Sequence, residues 1–181
     1  MKRVLAVAIL LASSACPRAA LADPYGDLQR AASAFRAQKA IHADMRFSNG
    51  QTVKVDLVGS DRTRVVLPNG FVELVIGDNV WFNQGGTWRQ MPSAMAGTMG
   101  STLARYRRSP VRDVVPASVK DMGMQSVGGA SLHAYSFTGR DGSRATVWLG
   151  ADDLPQRAVT SDPRGTATIV YSYGGVTIDP P

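Results

Sequence analysis

Cysteine is nearly absent from this sequence: Cys16 is the single thiol among 181 residues. Histidine and glutamate are almost as scarce, with His42, His133 and one glutamate, Glu73, in the whole chain. Each shortage removes a class of chemistry. One cysteine makes no disulfide framework and no thiolate metal cage. Neither histidine begins a metal-spaced pair of the H-E-x-x-H kind, and both read as exposed strand residues. No G-x-S-x-G elbow, phosphate-binding loop or dinucleotide glycine fingerprint occurs, so an enzyme lacks its usual constellation. Glu73 alternates between Val72 and Leu74, which reads as outward and solvated. The pair Asp152-Asp153 precedes Leu154-Pro155 and reads as a turn, where aspartate serves the backbone. No metal, cofactor or catalytic residue is expected.

Long apolar runs are also missing. The one candidate is near the start, where Lys2 and Arg3 precede an apolar stretch from Val4 to Ala15 and Ala20-Leu21-Ala22 supplies a small-x-small cleavage pattern. That stretch falls short of the roughly 20 apolar residues a membrane span needs. Residues 1–22 are therefore expected to be a cleaved signal peptide and 23–181 a single exported domain, periplasmic or secreted. Cys16 ends "LASSAC", which leaves a lipid anchor as the alternative, although Ser13 stands where an aliphatic residue is usual. Cleavage after Ala22 removes the thiol, so the fold must stand in an oxidising compartment without a disulfide. It also removes Lys2, Arg3 and Arg18, leaving 17 basic residues against 14 acidic ones. So small a surplus, in an exported chain, argues against nucleic acid as partner.

What is present is patterning. Over residues 27–39, Leu28, Ala31, Ala32 and Phe35 recur at helical spacing. The period then falls to two, with Ala43, Met45 and Phe47 alternating with polar neighbours, and Asn49-Gly50 marks a tight turn. Val53, Val55 and Leu57 repeat the alternation, and further strands follow through Asn69-Gly70, Gly77-Asp78 and Gly85-Gly86 to Met91. The segment 93–110 drops the alternation and reads as a second, imperfect helix weakened by Gly97 and Gly100. Beyond Pro116 strands resume at 119–127, 132–138, 145–149, 156–161 and 166–173. The fold class expected is α+β, mainly β: one antiparallel sheet curled into an unclosed barrel, with the two helices plugging its concave side.

Two clusters stand out. Met91, Met95 and Met99 recur every fourth residue and Leu103 continues the row, so they share one helical face. Core packing, an adaptable apolar ligand site and soft Cu(I) ligation all fit thioethers so placed. Met122 and Met124, two apart, would share a strand face. The arginines Arg105, Arg107, Arg108 and Arg112 follow the row, and a basic end on an apolar helix suits contact with anionic headgroups, though a solvated face fits as well.

In order along the chain, "AASAFRAQKAIHADMRF", "GSDRTRVVLPNG", "VIGDNVWFNQGGTW", "ATVWLGADDLPQRAV" and "ATIVYSYGGVTIDPP" resemble the LolA-like periplasmic carriers and their LppX/LprG and RseB relatives. The resemblance spans the whole expected mature chain. It implies a hydrophobic cavity for acyl chains of a lipid or lipoprotein, under a helical lid. The cavity and lid residues expected are Phe35, Met45, Phe47, Val55, Leu74, Met91, Met95, Met99 and Leu103, with Arg105, Arg107 and Arg108 at a membrane or an envelope donor or acceptor protein. A monomer is expected. A sensor module of the same fold, recognising a partner protein, is the alternative. The best-studied carriers have arginine followed by proline early in the meander; here the stretch reads Gly59-Ser60-Asp61, with Arg62 and Arg64 after it.

Overall fold

The computed structural model describes residues 23–92 and 113–181. The expected signal peptide, Cys16, Met95, Met99, Leu103 and the arginines 105, 107, 108 and 112 lie outside the described residues, as does the expected second helix. One α-helix, α1, spans Pro24–Arg36. It starts earlier than its apolar periodicity because the start is set by capping. Asp23 accepts the Gly26 amide at 2.9 Å and Pro24 occupies the first turn, where its missing amide hydrogen costs nothing. Leu28, Ala31 and Ala32 form its buried stripe.

The strands are β1 Ala40–Phe47, β2 Thr52–Val58, β3 Arg62–Val66, β4 Val72–Ile76, β5 Asn79–Gln84, β6 Thr87–Gln90, β7 Lys120–Val127, β8 Ala130–Thr138, β9 Arg144–Leu149, β10 Pro155–Asp162 and β11 Gly165–Tyr173. They make a single antiparallel sheet in the order β6-β5-β4-β3-β2-β1-β11-β10-β9-β8-β7. Two meanders of neighbouring strands are thus joined at the centre by β1 and β11, paired from Ile41↔Tyr173 to Phe47↔Ala167. The ends, β6 and β7, do not pair with each other, so the barrel is unclosed. Tight turns keep the meanders in register, and Gly50 and Gly70, each after an asparagine, have φ of +83° and +78°, a region that favours glycine.

Helix α1 lies on one face of the β8–β11 half. Leu28 and Ala31 pack with Tyr135, Val147, Leu149 and Ala158, bordered by Val119, Phe137, Ile169 and Tyr171. Phe35 meets Tyr171 and Tyr173 edge-on, at 5.8 and 6.5 Å between ring centroids. The Tyr135 hydroxyl donates to Asp27 Oδ2 at 2.8 Å, tying the first turn of α1 to β8. Burial and the Asp27 carboxylate both push the Tyr135 phenol up, and burial alone pushes Tyr171 up to about 12, so both stay neutral.

The opposite, convex face carries a polar cluster. Asp56, 4% exposed, accepts from Arg64 Nε at 2.7 Å and lies 2.5 Å from His42 Nδ1. His42 Nε2 also faces Asp44 at 3.3 Å. The C-terminal tail is held from the same face: Arg62 donates to the Ile178 carbonyl at 2.7 Å, and Ile178 is buried. His42 is therefore not the exposed strand histidine its neighbours suggest; the register sets it opposite Asp56.

Candidate functional site

Direct partners across an antiparallel ladder share a face, so the side chains facing α1 can be followed strand by strand. One row runs Tyr171, Ala43, Val55, Val65, Glu73, Phe82 and Arg89 from β11 to β6. The next runs Tyr173, Ile41, Leu57, Thr63, Val75 and Val80, where the Met91 amide joins the Val80 carbonyl. A third begins Ile169, Met45 and Val53. The concave face is thus nearly continuous in aliphatic and aromatic side chains across the sheet.

Cover on this face is uneven. Under α1, Tyr135, Val147, Leu149 and Ala158 are buried, with Phe137, Ile169 and Tyr171 part-buried at the border. On β1–β5, Ile41, Ala43, Val75 and Val80 are buried, whereas Met45, Phe47, Val53, Val55, Leu57, Val65 and Phe82 remain half-buried. Phe71 and Phe82 stack at 6.0 Å and 12°, extending the apolar surface toward the turn after β3. Val75 and Val80 form a small buried cluster with Met91 against it. A cleft of about 530 Å³ opens at the hairpin end of this face, with Met45, Phe47 and Ala167 as its apolar wall and Asp141, Asp162 and Arg164 at its polar rim. That is the size of a small-molecule site. Arg164 holds the Asp162 carboxyl below its usual range.

Of the residues expected at the cavity, the structure brings Phe35, Met45, Phe47, Val55 and Met91 to the α1 side of the sheet. Leu74 is a correction. It pairs with Arg64 and Trp81, which puts it on the convex face, where it is buried. Glu73 is the matching correction: it pairs with Val65 and Phe82 on the concave side, and burial raises its carboxyl above the ordinary value. Alternation along Val72–Ile76 fixes that residues 73 and 74 oppose one another, but with apolar residues on both faces it does not say which face is inner. Val53 and Leu57, legible as period-two neighbours of Val55, belong to the same surface, and the cross-strand register adds Val65 and Phe82.

Met122 and Met124 are 49% and 61% exposed on the edge strand β7, where Met124 pairs with His133 at the rim of the α1-facing side and a bulge falls between Asp121 and Gly123. His133 lies 2.6 Å from Asp121 and stacks on Tyr135 at 4.7 Å. The Asp152-Asp153 pair forms the expected turn, with Asp153 at φ 59° and Asp152 accepting the Leu154 amide. Among the described residues no group of three or more histidine, cysteine or acidic side chains could hold a metal, and no helix is long and apolar enough to cross a membrane.

No protein-family model and no curated protein matches the chain by sequence. Solved structures do match in shape. The lipoprotein LppX of Mycobacterium tuberculosis aligns at a TM-score of 0.60 and 17% identity, over 86% of this chain and 98% of its own. LprF from Mycobacterium bovis aligns at 0.55 and 13%, over 87% and 96%. An uncharacterized conserved protein from Thermus thermophilus follows at 0.52 and 12%, over 83% and 89%. At such identities the likeness speaks for the fold. An unclosed antiparallel sheet curled around a helix, matching LppX and LprF over nearly their whole length, gives this chain the fold of those two structures.

Proposed function

We propose that this protein is an exported, non-enzymatic carrier that holds the acyl chains of a lipid or lipoprotein on its concave face for transfer across the periplasm. The observation that carries this reading is a half-buried apolar patch on one face of the sheet: Met45, Phe47, Val53, Val55, Leu57 and Phe82 lie together on β1, β2 and β5, beside the part of the face that α1 covers. Keeping an acyl chain of about 15 methylenes from water is worth roughly 12 kcal/mol, which only a large apolar surface can match. The methionine row Met91, Met95, Met99 and Leu103 supports a lid for it. The arginines at 105, 107 and 108 would meet anionic headgroups or a membrane-bound donor or acceptor. No metal or cofactor is required, and the carrier works as a monomer.

Native mass spectrometry of protein purified from its own envelope tests the reading. A stoichiometric lipid or acylated protein is expected, lost in Met45→Glu, because a charge beside an acyl chain costs several kcal/mol. A stoichiometric protein partner without lipid would replace the carrier with the sensor.

A further inference from the structure

Glu73 is the one acidic side chain in its row of the concave face, between Val65 on β3 and Phe82 on β5. It is half-buried, and it has no hydrogen-bond or ion-pair partner among the described residues. A carboxylate partly stripped of water by apolar neighbours, with no protein donor in exchange, is costly, and an apolar residue of similar shape would relieve the cost. The same row does contain a cation, Arg89 on β6, but Phe82 lies between them. Two strand spacings separate their backbones by about 10 Å. Arg89 is exposed and makes no ion pair with Glu73. Phe82, the direct partner of Glu73 on β5, sets an aromatic residue beside it, and Phe71 stacks on that ring.

We infer that the Glu73 carboxylate is the recognition point for the polar group of the cargo, selecting an acyl amphiphile with a hydroxyl or ammonium donor over one ending in a carboxylate. This rests on the carrier reading and refines it. The apolar rows from β11 to β5 take the chain, and the half-buried carboxylate on β4, which has no protein donor among the described residues, takes the donor at its end. An anionic end brought to the same point meets like charge on an apolar floor, which disfavours it. A hydrogen bond to a charged acceptor is strong enough for about tenfold selection.

The test is displacement of a fluorescent fatty-acid probe from the full chain by monopalmitoylglycerol, hexadecylamine, palmitate and methyl palmitate. Wild type should bind the first two about tenfold more tightly than palmitate. Glu73→Leu should stay folded, close that gap, and bind palmitate and methyl palmitate at least as well as wild type does. Glu73→Gln keeps an acceptor without the charge, so it should retain monopalmitoylglycerol and lose the preference for the amine. Which donor loses most in Glu73→Leu identifies whether a hydroxyl or an ammonium is the natural group. Equal binding of all four by wild type, or an unchanged preference in Glu73→Leu, overturns the inference while leaving the carrier standing. If none of the four displaces the probe from wild type, the carrier reading itself falls.

Discussion

Asp56 sits on the convex face with His42 and Arg64 both turned to it, and this makes the cluster sensitive to pH. The hydrogen bond with Asp56 is the largest influence raising His42 above its ordinary value of 6.5, and the charges of Asp56 and Asp44 add to it against the cost of burial. A histidine whose folded value is raised stabilises the fold fully below the unfolded value and loses that contribution as pH rises through the folded one. Thermal melts should therefore show wild type losing stability above pH 6.5, with His42→Gln following a flatter profile. Identical slopes in the two proteins would mean that the imidazolium is not held by the cluster. Glu73 has the same sign for the opposite reason, since burial penalises its charged form. Glu73→Leu should consequently melt higher than wild type at neutral pH. Neither residue announced this in the sequence: each is flanked by ordinary strand neighbours, and only the cross-strand register supplies Asp56 to one and Val65 and Phe82 to the other.

At the scale of elements, α1 is held to the sheet by an apolar and a polar tie that can be cut separately. Phe35→Ala removes the edge-on contacts with Tyr171 and Tyr173 and should cost about 2 kcal/mol in denaturant unfolding, being half-buried. Tyr135→Phe removes only the hydrogen bond to Asp27 and should cost about 1 kcal/mol. If the two losses were equal, the polar tie would matter more than its single bond suggests. The helix itself was legible because Leu28, Ala31, Ala32 and Phe35 repeat at the right period. Its start was not, since Asp23 and Pro24 act through capping and carry no periodicity. Strands were legible for the same reason helices are, yet β4 shows the limit: alternation separates Glu73 from Leu74 without saying which looks inward.

Across the whole molecule, the turn signals and even strand spacing were enough to predict one antiparallel sheet. The pairing of its first strand with its last is a long-range contact that no local pattern encodes. That pairing sets the order in which the chain can fold. The central ladder joins Ile41 to Tyr173 and Phe47 to Ala167, so neither half of the sheet gains its neighbour until nearly the whole polypeptide is available. Closing so long a loop carries a large entropic cost before any contact rewards it, which slows folding of such topologies into the millisecond-to-second range. A chain ended after Arg164, lacking β11, should show no cooperative melt, because it leaves β1 and β10 as open edges and takes Ile169 and Tyr171 from beneath α1. A cooperative melt in that variant would show that one meander folds alone. Until β11 pairs with β1 the centre of the sheet stays open, so the apolar face is completed last, when the C-terminal strand arrives.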